Sequence, residues 1–299
     1  MDSTSELAFF ALLAKAESLA SAARELGLTP PAVSKRLAQM EARLGVRLMN
    51  RTTRRIGLTD EGAAYLESAR RILADIDEME QRVSSRRAVP RGLLRVSATY
   101  GFGRHYIAPL ISDFCLRYPE VEVQLQLGER PPPLSEEAFD VGIHFGTPPD
   151  ARVIARKIRG NRRWICAAPA YVKRCGLPQV PADLAGHNCL LLRQEDGAYG
   201  TWRFTRGART ETVKVSGTLS SNDGQVALGW VLQGHGIMMR SEWDAARYVR
   251  SGRLVQLLPE YTLPPADIHA IYPARHNLSA RVRTFVDFLV EQSGRDESW

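Results

Sequence analysis

The sequence predicts a small all-α unit that ends in a basic, wing-like hairpin and is joined by one long helix to a larger α/β domain. Three observations lead to this prediction. Two short helical patterns flank a tight turn in residues 18–44, a helical pattern without proline fills residues 59–87, and strands alternate with helices from residue 92 onward. The length of 299 residues also favours two domains, because it exceeds what one core usually supports.

The first apolar run, residues 7–16, resembles the centre of a signal peptide. However, Asp2 and Glu6 precede it where a signal peptide carries basic residues, and the run is too short to span a bilayer. We therefore expect a cytoplasmic protein with no membrane partner. The face of this helix expected to pack behind the following helices consists of Leu7, Phe10, Leu13 and Ala14.

The next two helices are predicted from their apolar spacing and their end signals. The apolar face of the first consists of Leu19, Ala22, Ala23 and Leu26. Gly27 ends this helix, and Thr29 and Pro30 begin the next, since threonine is a good N-cap and proline loses no hydrogen bond at the first helical position. Gly45 ends the second helix. Its buried stripe consists of Val33, Leu37, Met40 and Leu44.

The exposed face of the second helix and the wing after it are strongly basic. From Lys35 to Arg55 there are seven basic residues against one acid, Glu41. The alternative is a solvated helix face followed by a basic loop, but a helix-turn-helix that leads directly into a basic wing favours binding to double-stranded DNA. The predicted DNA-binding residues are Thr29, Pro30, Pro31, Ser34, Lys35, Arg36, Arg51, Thr52, Arg54 and Arg55.

The run A-A-R-E-L-G-L-T-P-P-A-V-S-K-R-L-A-Q-M-E-A-R-L-G-V-R-L, followed by N-R-T-T-R-R and L-T-D-E-G, resembles the winged helix-turn-helix of LysR-type transcriptional regulators. The resemblance continues through essentially the whole chain. Two residues depart from the family pattern. Pro30 replaces a glutamine that usually reaches DNA, which weakens the case for a base contact there. Ala20 replaces a capping Ser or Thr, which predicts a helix cap weaker by about 1 kcal/mol.

Residues 59–87 carry an apolar seam at alternating steps of three and four, interrupted by Glu80. One alternative is that this seam packs on the second domain of the same chain. The coiled-coil spacing and the family resemblance instead favour a homodimer that presents two DNA-binding domains to an inverted-repeat operator, and the resemblance implies homotetramers. The predicted dimerisation residues are Leu66, Ala69, Leu73, Ile76, Met79 and Val83.

The resemblance implies that the C-terminal part is an α/β effector domain of the periplasmic-binding-protein type, in which two lobes enclose a ligand cleft. We predict a winged helix-turn-helix DNA-binding domain at residues 1–58, a linker and dimerisation helix at 59–87, a hinge at 88–91 and the effector domain at 92–299. Lobe I is expected at about 92–166 and 268–299, and lobe II at about 167–267.

Ligands in open α/β sheets bind beyond the carboxyl ends of strands, where helix N-termini offer free N–H donors. Ordinary polar strand-to-helix turns are the alternative. Arg130 suits a carboxylate ligand, although a lone arginine fits a surface cation equally well. The predicted effector-binding residues are Ser97, Thr99, Tyr100, Gly101, Arg130, Phe145, Gly146, Tyr199, Ser221 and Asn222. The resemblance implies that the strand ends among them face one cleft. Trp202 and Phe204 are expected in the core, and His144 is expected to be structural.

The sequence gives no support for catalysis, a metal or a cofactor. A G-x-S-x-G elbow, a Walker loop and an HExxH motif are absent, so we expect no enzyme and no catalytic residues. The four cysteines show no CxxC pairing, which favours reduced thiols over a zinc site or disulfides. A small-molecule (solute) binding protein without DNA function is the strongest rival, because the second domain alone would fit it. The basic N-terminal domain argues against that rival.

The sequence therefore predicts a transcriptional regulator controlled by a small molecule. A net charge of +7 and a pI near 9.4 favour anionic partners, and Arg130 with the nearby hydroxyl groups suggests an acidic effector, a carboxylate. The segments T-T-R-R-I-G-L-T, R-P-P-P-L and D-V-G-I-H-F-G resemble a LysR-type subgroup associated with malate and tartrate metabolism. RNA polymerase is a further candidate partner.

Overall fold

The computed structural model describes residues 3–16, 18–51, 56–83, 89–129, 139–148, 153–193, 200–274 and 279–295. The chain divides into two compact units, one made mainly of residues 1–93 and the other of most of the remainder. The elements of the N-terminal unit, in chain order, are α1 (Ser3–Lys15), α2 (Leu19–Glu25), α3 (Pro30–Leu44), β1 (Met49–Arg51), β2 (Ile56–Leu58) and α4 (Asp60–Val83).

The core of the N-terminal unit lies between α1, the helix-turn-helix and the start of α4. Phe10 and Leu13 of α1 are fully buried against Val33 and Leu37 of α3, and Tyr65 of α4 meets Phe10 edge to face at 5.3 Å. The apolar run near the N-terminus is therefore a core helix of this unit. Within the part of the chain that the structure describes, no helix is long and apolar enough to cross a membrane.

Helix α2 is well capped, so the expectation of a weak cap at Ala20 is wrong. The helix begins at Leu19, which makes Ser18 the N-cap and places Ala20 inside the first turn. Ser18 Oγ accepts from Ser21 N at 3.1 Å, and Ser21 Oγ accepts from Ser18 N at 3.0 Å. This reciprocal pair is a capping box with serine in the fourth position.

The start of α4 is in direct contact with the base of the wing. Thr59 N donates to Leu48 O at 3.1 Å, and Thr59 Oγ1 donates to Arg47 O at 2.7 Å and accepts from Gly62 N at 3.0 Å. A β-carbon on Gly62 would come within 1.9 Å of Leu48 O. Only glycine therefore fits at position 62, because the clash would be with backbone.

The C-terminal unit contains two five-stranded sheets. The strands of the first are β3 (Gly92–Thr99), β4 (Val121–Gly128), β5 (Val141–Phe145), β6 (Val153–Arg159) and β14 (Ile268–Pro273), in the order β4-β3-β5-β14-β6. Strand β3 is parallel to β5, and β14 is antiparallel to β5 and β6. The helices of this lobe are α5 (Tyr100–Phe102), a π-helical turn (Gly103–Ile107), α6 (Ala108–Arg117) and α10 (Ala280–Arg295).

The strands of the second sheet are β7 (Arg163–Ala167), β8 (Cys189–Leu192), β11 (Ser220–Ser221), β12 (Ile237–Ser241) and β13 (Val255–Leu257), in the order β11-β8-β12-β7-β13. The lobe also contains the antiparallel hairpin β9 (Thr201–Arg206) and β10 (Arg209–Lys214), and the helices α7 (Pro169–Cys175), a 3-10 turn (Pro181–Gly186), α8 (Gly224–Leu232) and α9 (Glu242–Arg250). Trp202 and Phe204 are buried in its core, as expected.

The chain crosses between the two sheets at residues 160–162 and again between Leu257 and Ile268. The predicted end of lobe I at residue 166 is wrong, since β7 belongs entirely to the second sheet. Strand periodicity shows where a strand lies but not which sheet it joins. The two crossing segments are bonded to each other, because buried Asn161 donates through Nδ2 to Ala266 O at 2.9 Å.

All four cysteines are free thiols. Cys166 and Cys189 are buried in lobe II, and burial raises the pKa of each to about 12. Burial also raises the pKa of Cys115. Because the thiolate is the reactive form, these three side chains contribute to packing more than to chemistry.

Candidate DNA-binding surface and effector cleft

The first turns of α3 present several of the predicted DNA-binding residues to solvent. Thr29, Pro30, Pro31 and Lys35 are exposed, and Ser34 is half-buried. Thr29 is the N-cap of α3, with its hydroxyl making no capping bond, and Pro30 occupies the first helical position. The N-terminal end of α3 is therefore free to enter a major groove.

Arg36 differs from this group, and its prediction as a DNA contact is contradicted by its geometry. Its guanidinium lies 4.4 Å from the centroid of the Phe9 ring, and Nη2 donates to Ser5 O at 2.9 Å and to Ser5 Oγ at 2.8 Å. The side chain thus joins α3 to α1. Sequence spacing places Arg36 beside Lys35 but does not reveal that α1 offers it an aromatic ring and two acceptors.

The wing is described only at its two strands. Arg51 ends β1, where it is the register partner of Ile56, while Thr52, Arg54 and Arg55 lie outside the described residues. Arg47, at the base of the wing, is exposed. It is a basic residue that the predicted set omits, although the same charge argument would have included it.

Helix α4 divides the predicted dimerisation residues into two groups. Leu66 lies in the core of the N-terminal unit and Ala69 is fully buried within the chain, so the prediction is wrong for these two. Farther along, Met79 is 51% exposed and its neighbour Ile72, one heptad earlier, is 42% exposed, while Leu73 and Ile76 are partly buried. The side chain of Val83 is outside the described part of the helix. The exposed apolar face therefore begins near Ile72.

In the effector domain, the end of β3 leads into α5 at the face where the two lobes meet. Thr99 and Tyr100 are partly exposed and Gly101 is buried. A β-carbon on Gly101 would lie 3.0 Å from Gln225 Nε2 and 3.4 Å from Trp243 Cη2, both of lobe II. The glycine at this strand end thus allows the lobes to approach closely. The Ser97 hydroxyl is buried and has no hydrogen-bond partner among the described residues.

Lobe II brings the end of β11 to the same face. Ser221 Oγ accepts from Asp223 N at 3.0 Å, Asn222 Nδ2 donates to Glu129 after β4, and Arg104 approaches Asp223 at 3.9 Å. The last two contacts cross between the lobes. The structure therefore brings Gly101 and the Ser221–Asn222 strand end together at one interlobe face.

Phe145 and Gly146 lie on the lobe I side of this face. The Phe145 ring meets that of Phe102 edge to face at 5.3 Å, and Gly146 N donates to Asp267 O of the second crossing at 2.9 Å. Gly146 has φ +88°, a backbone conformation that favours glycine. Arg130 and Tyr199, the two other predicted effector residues, lie outside the described residues.

His144 is bonded within its own turn, as a structural histidine would be. Its Nε2 lies 2.8 Å from Thr147 O, and its register partner on β14 is His269. Burial lowers the pKa of His144, and the adjacent His269 contributes to the same direction.

Sequence reasoning missed one polar cluster on lobe II. Asp244, fully buried in the first turn of α9, accepts from Arg240 Nε at 2.6 Å and from Gln225 Nε2 at 2.9 Å. Arg240 is the last residue but one of β12, and the indole of Trp243 lies beside it, with 5.6 Å between guanidinium and ring centroid. The sequence does contain a pattern that indicates this cluster, because G-I-M-M-R followed by S-E-W-D is a strand end that leads into a helix.

A winged helix-turn-helix joined to a two-lobed α/β domain with polar strand ends at the interlobe face defines the class of DNA-binding proteins controlled by a small molecule. Residues 4–63 match the family model described as bacterial regulatory helix-turn-helix protein, lysR family, and residues 87–294 match the LysR substrate binding domain. The chain belongs to the LysR family and is a DNA-binding transcriptional regulator with a substrate-binding domain. The predicted family and fold class are confirmed.

Relatives match along nearly the whole chain. The HTH-type transcriptional regulator DmlR of Escherichia coli K12 is 39% identical over 95% of this chain and 92% of its own length. The transcriptional activator TtdR of the same strain is 38% identical over 91% and 87%. The solved structure of CrgA, a LysR-type transcriptional regulator from Neisseria meningitidis, is 32% identical, with a TM-score of 0.61 over 98% of this chain and 100% of that chain.

Proposed function

We propose that this regulator binds an inverted-repeat operator as a homodimer, assembled further into a tetramer, and responds to a small carboxylate bound at the interlobe face. The exposed start of α3, with Lys35, supports insertion into the major groove. The wing arginines Arg51, Arg54 and Arg55 would contact the flanking phosphates. An operator on DNA places the site of action in the cytoplasm, and a role in activation would add RNA polymerase as a partner.

Dimerisation is supported by the exposed apolar face of α4 beyond Ile72. Two DNA-binding domains related by a two-fold axis would match the two halves of an inverted repeat. A single domain offers few phosphate contacts, so pairing strengthens binding by making the second contact intramolecular.

The meeting of the Gly101 strand end with the Ser221–Asn222 strand end is the single observation that carries the effector assignment. Polar side chains and helix starts from both lobes converge there, which is where α/β sheets bind ligands. The cationic side chains Arg104 and Arg240 at this face support an acid, in agreement with the resemblance to the subgroup associated with malate and tartrate metabolism.

Effector control requires that the ligand prefer one arrangement of the lobes. The contacts of Asn222 with Glu129 and of Arg104 with Asp223 join the two lobes in the arrangement described. A ligand that changes these contacts shifts the population of lobe arrangements, and the reciprocal coupling changes DNA affinity. No part of this scheme calls for catalysis.

The experiment combines ligand binding with DNA binding on the full-length protein. Thermal unfolding should be measured with malate, tartrate and succinate, because an acid that binds the folded state raises the unfolding temperature. Fluorescence anisotropy with DNA from upstream of its own gene should then show affinity that changes with the same acid. A protein that binds an acid but no DNA would contradict the proposal and favour a solute-binding role.

A further inference from the structure

A polar corner on lobe II, formed by Gly224, Gln225, Arg240, Trp243 and Asp244, has the chemistry of a carboxylate site. Its centre is the Asp244 carboxylate, which accepts from Arg240 Nε and Nη2 and from Gln225 Nε2. These bonds fix the plane of the Arg240 guanidinium and leave Nη1 as the nitrogen that Asp244 does not engage. An arginine held in this way is preorganised to bind a second acid.

The charge of the corner is not balanced by Asp244 alone. Arg247 Nη2 also donates to Asp244 Oδ1, at 3.3 Å, so two guanidinium groups share one carboxylate. The nearest acids on the same elements are already engaged: Glu242 by Arg162 through two bonds of 2.8 Å, and Asp223 by Arg104 at 3.9 Å. Among the described residues of β12 and α9, Arg240 and Arg247 together thus carry one positive charge more than Asp244 neutralises, and a ligand carboxylate would neutralise it.

Nη1, the nitrogen that Asp244 does not engage, lies against the start of α8. A β-carbon on Gly224 would come within 1.9 Å of Arg240 Nη1, so the guanidinium packs closely against the first helical residue. A carboxylate on Nη1 would also be close to the N-terminus of a nine-residue helix, which favours negative charge. Glycine at position 224 is what allows this approach.

A second donor of the corner has no acceptor. The indole Nε1 of Trp243 is buried and lacks a hydrogen-bond partner among the described residues. The same ring is 3.4 Å from the β-carbon position of Gly101, at the strand end of lobe I. A buried donor without an acceptor is costly, and a polar ligand group at this face would satisfy it.

We propose that Arg240 binds a carboxylate of the effector through Nη1, that Asp244 positions Arg240, and that the Trp243 indole donates to a second polar group of the ligand. This inference rests on the proposed function, since it assumes an acidic effector between the lobes. It adds the residues that select the acid, from two elements that the predicted effector set does not contain, β12 and α9.

The test compares malate with its two monoamides by calorimetry on the full-length protein. The unaltered protein should bind at least one monoamide about tenfold or more weakly than malate, because an amide lacks the charge that Arg240 recognises. Arg240→Gln should weaken malate binding and remove this discrimination. Loss of a residue that only stabilises the fold would weaken the binding of malate and of the monoamides by the same factor. If Arg240→Gln still prefers malate to the monoamides by the original factor, the proposal is overturned.

Gly224→Ala tests the same assignment without changing any charge. Its new methyl group must displace the Arg240 guanidinium. Both the affinity for malate and the preference for malate over its monoamides should therefore fall. The matched control is Gly229→Ala in the same helix, where nothing lies within 4 Å of the added carbon and binding should be unchanged. Equal affinities for the two variants would overturn the proposal.

The failure of this inference is distinguishable from failure of the proposed function. The unaltered protein, Arg240→Gln and Gly224→Ala could all bind malate and prefer it to its monoamides by the same factor. That result would exclude the corner as the carboxylate site and leave the proposal of an acidic effector intact. If malate, tartrate and succinate all fail to bind the unaltered protein, the acidic effector and the corner both fall.

Discussion

The Arg36 guanidinium stacks on the Phe9 ring at 4.4 Å, which joins helix α3 to the first helix of the chain. We expect Arg36→Ala to lower the free energy of unfolding of the N-terminal unit by about 1–2 kcal/mol, because a cation–π contact and hydrogen bonds to Ser5 are lost. Lys35→Ala, one residue earlier and exposed, should weaken DNA binding without changing stability. Urea unfolding and anisotropy titrations separate the two effects. The interpretation fails if Arg36→Ala weakens DNA binding and leaves unfolding unchanged.

Arg51 is expected to contact phosphate rather than a base edge. Arg51→Ala should therefore weaken binding to specific and unrelated DNA alike, and should reduce the slope of log affinity against log salt by about 0.9. Arg209→Ala, in the β9–β10 hairpin of the effector domain, removes the same charge and serves as the control. An unaltered slope in Arg51→Ala would exclude this residue from the phosphate contacts.

Met79 is expected at the dimer interface. Met79→Asp should shift the protein toward monomers in sedimentation equilibrium and lower its affinity for a two-site operator by about tenfold or more, since the avidity of paired domains is lost. Leu177→Asp, at a site with the same 51% exposure in lobe II, should change neither property. Dimers that persist in Met79→Asp would place the interface elsewhere.

His144 should make the effector domain less stable in mild acid. Burial lowers its pKa in the folded protein, so below about pH 6.5 the unfolded chain binds more protons than the folded one, and stability falls as pH falls. The groups beside it are His269 on the adjacent strand, and Lys157, which is the register partner of His269 and pairs with Asp267.

The measurement for His144 is the midpoint of thermal unfolding between pH 5 and pH 8. His144→Gln should show a smaller loss of midpoint on acidification than the unaltered protein. His235→Gln, at an exposed position in lobe II, is the matched control and should keep the full loss. Identical pH profiles for all three proteins would mean that His144 does not contribute.

The sequence was sufficient to predict the order of the helices and strands, but it was not sufficient to predict which of them pack against each other. Apolar spacing correctly predicted α2, α3 and the long α4, and turn residues such as Gly45 marked their ends. The same spacing could not show that Leu66 is covered by the chain itself, because periodicity identifies an apolar face and not its partner. The sheet that β7 joins was missed for a related reason, since strand pairing depends on residues far apart in sequence.

Side chains at the two sites were predicted less well than the elements that carry them. The strand-end rule located Gly101, Ser221 and Asn222 at one face. The same rule also covers the end of β12, where Arg240 lies outside the predicted effector set. Arg36 was assigned by its position in the helix, but a long guanidinium side chain reaches whichever acceptor lies nearest, and here that acceptor is on α1.

The close fit of Gly62 against Leu48 O has a mechanical consequence for signalling. Position 62 has no room for a side chain, and Thr59 is bonded to both Arg47 and Leu48. The base of the wing is therefore held tightly against the start of α4. A 24-residue helix is about 36 Å long, so tilting it by about 10° displaces one end by about 6 Å relative to the other. Such a displacement exceeds the 5.4 Å pitch of one helical turn. If the wing contacts DNA as proposed, a small tilt of α4 at its far end would therefore be enough to move the wing relative to the phosphates.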